Sequence, residues 1–109
     1  MKKYQLGEFE EIVLLTVGVL YDEAYGVAIK AEIENRLDRK VSVGAMQSAL
    51  RRMEKKGFLE SRLGEVNKIR GGKPKRYFTI TAFGKHALKN SQDIRMSLWN
   101  DIPKVALDI

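Results

Sequence analysis

Four polar or cationic residues with side chains suited to reading DNA lie close together in the middle of the chain. They fall in VGAMQSALRRMEKK, residues 43 to 56, and are Gln47, Ser48, Arg51 and Arg52. Arginine can pair with guanine through two parallel donors or contact phosphate, glutamine can read adenine, and serine can bond to either. On one helix, these side chains could contact base edges in a major groove.

A second cationic group follows in RGGKPKRYFTIT, residues 70 to 81. Its four cations are Arg70, Lys73, Lys75 and Arg76. The Gly-Lys pair suggests a nucleotide phosphate loop, but Asn67 replaces the earlier glycine and Pro74 replaces the hydroxyl residue that holds magnesium. The segment is therefore interpreted as a basic turn, which could contact phosphates or enter a minor groove.

The net charge of +6 is unevenly distributed along the 109 residues. Residues 1 to 38 carry a net charge of −4, residues 39 to 76 carry +9, and residues 77 to 109 carry +1. Concentrated positive charge indicates a surface for a polyanion such as nucleic acid. The alternative is a basic surface that only faces solvent.

Enzymatic chemistry is not indicated, and we expect neither a metal nor a cofactor. The chain has no cysteine, and its one histidine, His86, falls in a predicted helix without metal-ligand spacing around it. No acid, base and nucleophile are grouped recognisably. The apolar run 12–21 is about half the length that spans a bilayer. We therefore expect a soluble, cytoplasmic protein without a processed leader.

Three helices are predicted before the basic turn. Apolar spacing predicts helices over residues 8–21, 25–37 and 43–56, and the first is apolar on two sides. The second should direct Ile29, Ile33 and Leu37 inward. Ser42 is suited to cap the third helix, which should stop at Gly57.

A hairpin and a last helix are predicted after Gly57. Alternating residues predict strands over 58–66 and 76–80, joined by the basic connection 67–75. Thr81 can cap a helix over 82–102, and Pro103 should end or kink it. One apolar stripe of this helix comprises Leu88, Ser91, Ile94, Leu98 and Ile102.

This order of elements is that of a winged helix-turn-helix, a mainly α fold with a small β-hairpin. The third helix would enter a major groove and the hairpin tip, or wing, would lie beside it. We place the DNA-binding domain at residues 1–81 and a long C-terminal helix at 82–109, within one compact unit. The predicted DNA-binding residues are Ser42, Gln47, Ser48, Arg51, Arg52, Arg70, Lys73, Lys75 and Arg76.

Five segments resemble the PadR family of bacterial transcriptional regulators, in the order found in that family. They are LGEFEEIVLLTV, AYGVAIKAEIENRL, VSVGAMQSALRRMEKKGFLESRLGE, RGGKPKRYFTIT and TAFGKHAL. Together they cover most of residues 6 to 88. The family usually has tyrosine at the position of Gln47, so the DNA contact at this position cannot be transferred from the family.

The resemblance implies a homodimer that binds a palindromic operator, with the first and last helices forming the dimer contact. The short C-terminal portion is similar to the compact branch of the family, which ends in one long helix. In multidrug-sensing members, a tryptophan on this helix stacks flat aromatic ligands, and Trp99 lies at a similar place. Ordinary interface packing is the alternative role for this residue.

The combined interpretation is a dimeric, sequence-specific DNA-binding repressor that a small aromatic ligand could release. Two other functions remain open. One is an aromatic-ligand sensor in which ligand binding is the main property. The other is a non-specific nucleic-acid or protein-interaction module, because a fold does not fix a function.

Overall fold

A computed structural model describes residues 5–65 and 73–108, which form a mainly helical fold with one antiparallel hairpin. Two short 3₁₀ turns, Tyr21–Glu23 and Lys104–Leu107, follow the first and last helices. The helices and strands are α1 (Glu8–Leu20), α2 (Gly26–Leu37), α3 (Val43–Lys55), β1 (Leu59–Leu63), β2 (Arg76–Ile80) and α4 (Ala82–Asp101).

The helix boundaries follow from local chemistry that the sequence predicts. The hydroxyls of Ser42 and Thr81 each accept a backbone N–H from three residues further on, at 3.0 Å, and so cap α3 and α4. Gly57 follows α3 with φ of +88°, a conformation that suits glycine. The N–H groups of Gly57 and Phe58 then bond back to the last turn of α3, which closes that helix.

The hydrophobic core lies between α1, α2, α3 and the base of the hairpin. Apolar side chains at helical spacing meet there because each helix turns one stripe towards the others. The largest fully buried side chains are those of Val13, Leu14, Val17, Ile29, Ile33, Met46, Leu50, Met53, Phe58 and Leu59. The core therefore holds the apolar side of α3 and leaves the opposite side of this helix exposed.

The hairpin is attached to the helices through the residues before α2. Strands β1 and β2 pair from Leu59 opposite Ile80 to Leu63 opposite Arg76. The N–H of Phe78 donates to the carbonyl of Ala24 at 2.8 Å, and Tyr25 forms a single bridge with Tyr77. Because β2 is bonded on both sides, the strand that leaves the wing is held beside the start of α2.

Several predicted bounds shift by a few residues. Helix α1 ends at Leu20 because Tyr21 adopts a positive φ of 54°. Helix α3 ends at Lys55, and β1 covers only the central part of the predicted strand 58–66. The prediction that Leu37 points inward is wrong, since its side chain is exposed at the end of α2.

Helix α4 contacts the rest of the chain mainly through its first half. Ala87 is buried and Leu88 packs against the core, whereas the apolar side chains further along are exposed. A Cβ at Gly84 would collide with the carbonyl oxygen of Phe58, so the first turn of α4 lies directly on the backbone before β1. The helix ends at Asp101, just before Pro103, as predicted. No helix in the described ranges is long and apolar enough to cross a membrane.

Candidate nucleic-acid interface

Helix α3 has one buried side and one exposed side. Met46, Leu50 and Met53 lie in the core. With 3.6 residues per turn, the side chains of Ser48, Arg51 and Lys55 project to the opposite side, and all three are exposed. The helix therefore presents two cations and a hydroxyl outward from a rigid base.

A groove runs between α3, the start of α2 and strand β2. It contains two adjoining open depressions of about 240 and 370 Å³. Gln47 and Arg76 line both depressions, Lys75 lines the first, and Arg51 lines the second. The fold thus brings together four of the predicted DNA-binding residues, two from α3 and two from the wing.

Arg76 is oriented by a chain of hydrogen bonds that returns to α3. Its Nη1 donates to the Ser61 hydroxyl at 3.0 Å, and that hydroxyl donates to Glu54 Oε2 at 2.7 Å. Ser61 lies on β1, Arg76 on β2 and Glu54 on α3. This chain ties the base of the wing to the helix that lines the groove.

Two tyrosine rings position cations beside the hairpin, and one of these cations is Lys75 of the groove. The Nζ of Lys75 lies 4.2 Å from the ring centroid of Tyr25, whose ring meets that of Tyr77 edge to face. The guanidinium of Arg62 lies 4.9 Å from the Tyr77 centroid. Cation–π contacts of this kind hold a positive charge in place without neutralising it. The sequence reasoning missed Arg62, because its position opposite Tyr77 depends on the register of the hairpin.

Arg52 faces a different part of the molecule. Its Nε donates to Glu10 Oε2 at 2.9 Å, and Lys56 Nζ donates to the same oxygen at 3.1 Å. The other oxygen of Glu10 accepts the N–H of Gly7 at 3.0 Å. Arg52 therefore reaches across to α1 rather than into the groove, and the sequence reasoning gave no role to its partner, Glu10.

Glu10 is a buried carboxylate that remains ionised. Burial raises its pKa, but the hydrogen bonds from Gly7, Arg52 and Lys56 outweigh this effect and bring the pKa below its usual value. The side chain of Glu10 is only 7% exposed. The negative charge is thus stabilised inside the protein by two cations, one in the last turn of α3 and one directly after it.

The remaining predicted residues are distributed around the groove. The Ser42 hydroxyl caps α3, Ser48 is exposed on the outer side of that helix, and Lys73 is exposed at the wing. Arg70 lies outside the described residues. Trp99 lies far from the groove, 58% exposed on α4. His86 is exposed on α4, and the described ranges contain no group of His, Asp or Glu suited to hold a metal ion.

Known structures share this fold over most of their length. RosR of H. salinarum is 23% identical with a TM-score of 0.72, over 92% of this chain and 83% of that chain. A PadR-like transcription factor of Bacteroides fragilis is 22% identical with a TM-score of 0.70, over 84% of each chain. A PadR family transcription regulator of Clostridium difficile is 27% identical with a TM-score of 0.62, over 82% of this chain and 91% of that chain. No curated protein matches the chain.

The sequence also matches a family profile over most of its length. The match covers residues 14–90, which include the second half of α1, all of α2, α3 and both strands, and the first half of α4 up to residue 90. The profile is that of the transcriptional regulator PadR-like family. The expected winged-helix fold and family are confirmed. The chain belongs to the PadR-like family of transcriptional regulators.

Proposed function

We propose that this protein is a homodimeric, sequence-specific DNA-binding repressor that acts in the cytoplasm on a palindromic operator. The observation that carries the proposal is the groove in which Gln47 and Arg51 of α3 meet Lys75 and Arg76 of the wing. Base readout needs donors on a helix that fits the major groove, and affinity needs cations for phosphates. The groove combines both requirements on one face.

The two elements have different roles in this proposal. Arg51 and Ser48 contact base edges or nearby phosphates from the exposed side of α3. Gln47 contacts the base edges that lie nearest the wing. Lys73, Lys75 and Arg76, together with Arg70, contact the DNA backbone or the adjacent minor groove. The Ser42 hydroxyl supports this arrangement by holding the start of α3, 3.0 Å from the Ala45 N–H.

Dimerisation is proposed through α1 and the C-terminal helix, with residues 82–109 serving as the dimerisation segment. Leu15 and Val19 of α1 are more than half exposed, as are Ile94 and Leu98 of α4. Contiguous exposed apolar surface is unusual for a monomer and indicates a contact with another chain. Twofold pairing would present two copies of α3, which matches the symmetry of a palindrome.

Release by a flat aromatic ligand at Trp99 is the second part of the proposal. The indole is exposed on the apolar side of α4, near the exposed thioether of Met96. Such a surface stacks aromatic molecules well. The ligand would lower operator affinity only if it binds the DNA-incompetent arrangement of the dimer more tightly than the competent one.

A retardation assay tests the DNA-binding proposal. The probe is the region upstream of the protein's own gene, in the presence of excess random-sequence competitor. Retention of the complex supports sequence-specific binding. Complete loss to the competitor would favour the non-specific module instead.

Titration of the protein with flat cationic and phenolic compounds tests the ligand proposal. Trp99 is the only tryptophan in the chain, so quenching of its fluorescence reports binding on α4 directly. A ligand that quenches Trp99 and also releases the operator supports regulated repression. Quenching without any DNA binding would favour the aromatic-ligand sensor, and no response across the panel would reject both ligand roles.

A further inference from the structure

Glu10 makes a polar link between α1 and α3. It accepts hydrogen bonds from Arg52 on α3, from Lys56 directly after α3, and from the Gly7 N–H at the start of α1. Arg52 and Glu10 are separated by 42 positions in the sequence, so the contact exists only in the folded chain. One carboxylate thus joins two helices at a point away from the groove.

The geometry of α3 explains why this link affects DNA recognition. Arg52 and Lys56 are four residues apart and project from the same flank, which faces α1. Gln47 projects from the opposite flank, towards the wing, and Arg51 projects between them. A rotation of α3 about its axis would therefore break the Glu10 contacts and move Arg51 and Gln47 out of position together.

The neighbouring carboxylate of α1 faces a different helix. The neighbouring residue, Glu11, accepts hydrogen bonds from Ser91 at 3.0 Å and from Arg95 Nη2 at 2.8 Å, both on α4. Consecutive residues of a helix point about 100° apart, so the same turn is anchored to α4 while Glu10 faces α3. Glu11 therefore links α1 to α4, whereas Glu10 links α1 to α3.

We propose that Glu10 is a positioning residue for DNA recognition, which adds to the hold of the core on α3 and fixes the rotation of this helix through Arg52 and Lys56. In this arrangement, Arg52 and Lys56 pair with the buried carboxylate of Glu10 and do not contact the DNA. The inference rests on the proposed DNA-binding function. It also changes the role of Arg52, from a direct DNA contact to a support for its neighbour Arg51.

The test compares Glu10→Gln and Arg52→Gln with the wild type on two DNA probes. The first probe is a duplex that the wild-type chain selects from a random library, and the second is a scrambled duplex of the same length and composition. Glu10→Gln should bind the selected duplex about tenfold more weakly, which corresponds to ~1.4 kcal/mol. Its affinity for the scrambled duplex should stay the same or increase, because the change releases two cations.

The salt dependence of binding separates positioning from direct contact. Loss of one phosphate contact lowers the log–log salt slope by about 0.9. Arg52→Gln should weaken binding to the selected duplex while keeping the wild-type slope. The double variant should lose no more affinity than Glu10→Gln alone, because both changes break the same link. A flatter slope for Arg52→Gln, with losses that add in the double variant, would overturn the inference.

Two matched variants control for general damage. Glu8→Gln lies in the same turn but faces solvent, and Glu11→Gln removes a comparable ion pair that faces α4. In both variants, the ratio of the affinity for the selected duplex to that for the scrambled duplex should stay within about twofold of the wild-type ratio. An equal loss of this ratio in Glu11→Gln would show that any weakening of α1 suffices, and this would refute the assignment.

Thermal unfolding establishes that each variant is folded at the assay temperature. If Glu10→Gln is unfolded there, Arg52→Gln carries the test, since Lys56 still pairs with Glu10 in that variant. Wild-type affinity ratios in both variants would refute the inference and leave the proposed function intact. Failure of the wild type to select any sequence would instead refute the proposed function.

Discussion

Helices α3 and α4 both expose one long side, but the chemistry of the two sides is opposite. The exposed side of α3 carries polar or charged residues that are well solvated in the absence of a polyanion, namely Ser48, Arg51 and Lys55. Leu98 and Trp99 of α4 leave apolar surface in water, and burying such surface stabilises a contact by about 25 cal/mol for each Å². We therefore expect a permanent contact at α4 and a reversible, salt-dependent contact at α3.

The largest effect is expected from Leu98→Glu, which places a charge on the apolar side of α4. The change should convert the dimer to a monomer, measured by light scattering. Operator affinity should fall about 100-fold or more, because the second half-site no longer binds as part of the same molecule. Asn100→Glu, exposed on a different side of α4, is the matched control and should remain dimeric. A dimeric Leu98→Glu variant would show that α4 is not the dimer contact.

A smaller effect is expected from Arg51→Ala on α3. The variant should lose about 1–3 kcal/mol of operator binding and change its sequence preference, because a side chain that contacts bases is removed. Binding to a panel of single-base operator variants measures both effects. Arg36→Ala removes a cation that pairs with Glu32 within α2, and it should leave the sequence preference unchanged. An unchanged preference in Arg51→Ala would remove this residue from base readout.

Lys73→Ala should produce a weaker and more uniform effect. Loss of one phosphate contact from the wing should reduce affinity for all duplexes alike and lower the salt slope by about 0.9. Fluorescence anisotropy at several salt concentrations, with operator and random duplexes, gives both quantities. A loss confined to the operator would instead place Lys73 in sequence readout.

The smallest effect concerns stability in acid. Hydrogen bonds from Arg95, opposed by burial, lower the pKa of Glu11, and the pKa of Glu10 is also lowered. A lowered pKa in the folded state adds stability above the unfolded-state pKa of about 4.3, and this stability is lost as the pH falls further. The Tm of the wild type should therefore fall between pH 5 and pH 3 by a few degrees more than that of Glu10→Gln. Equal falls would show that Glu10 gains no net stabilisation from its charge.

Local chemistry explains which parts of the fold could be predicted. Ser42, Gly57 and Thr81 act on their own helix ends, and the alternation in 76–80 defines one strand, so these elements follow from neighbouring residues. The exposure of Leu37 could not be predicted, because helical spacing does not show how far the next helix extends alongside.

The candidate interface was only partly predictable for a related reason. Composition and spacing identify Gln47 and Arg51 on α3 and the cations of the wing, because these residues are close in sequence. The pairing of Arg52 with Glu10 joins residues that are distant in sequence, and no periodic pattern encodes such a pair. The grouping of Arg62 with Tyr77 similarly depends on the register of the hairpin.

The contact at Gly84 bears on the spacing of the two copies of α3 in the proposed dimer. Because the first turn of α4 rests on the Phe58 carbonyl, the angle between α4 and the hairpin is set without a hinge. Helix α4 has 20 residues and is therefore about 30 Å long, so a small change of angle at its start becomes a larger displacement at its far end. A tilt of about 5° at Gly84 would move its far end by about 2.6 Å over that length. In the proposed dimer, the close approach that glycine allows at this position would therefore fix the distance between the two copies of α3.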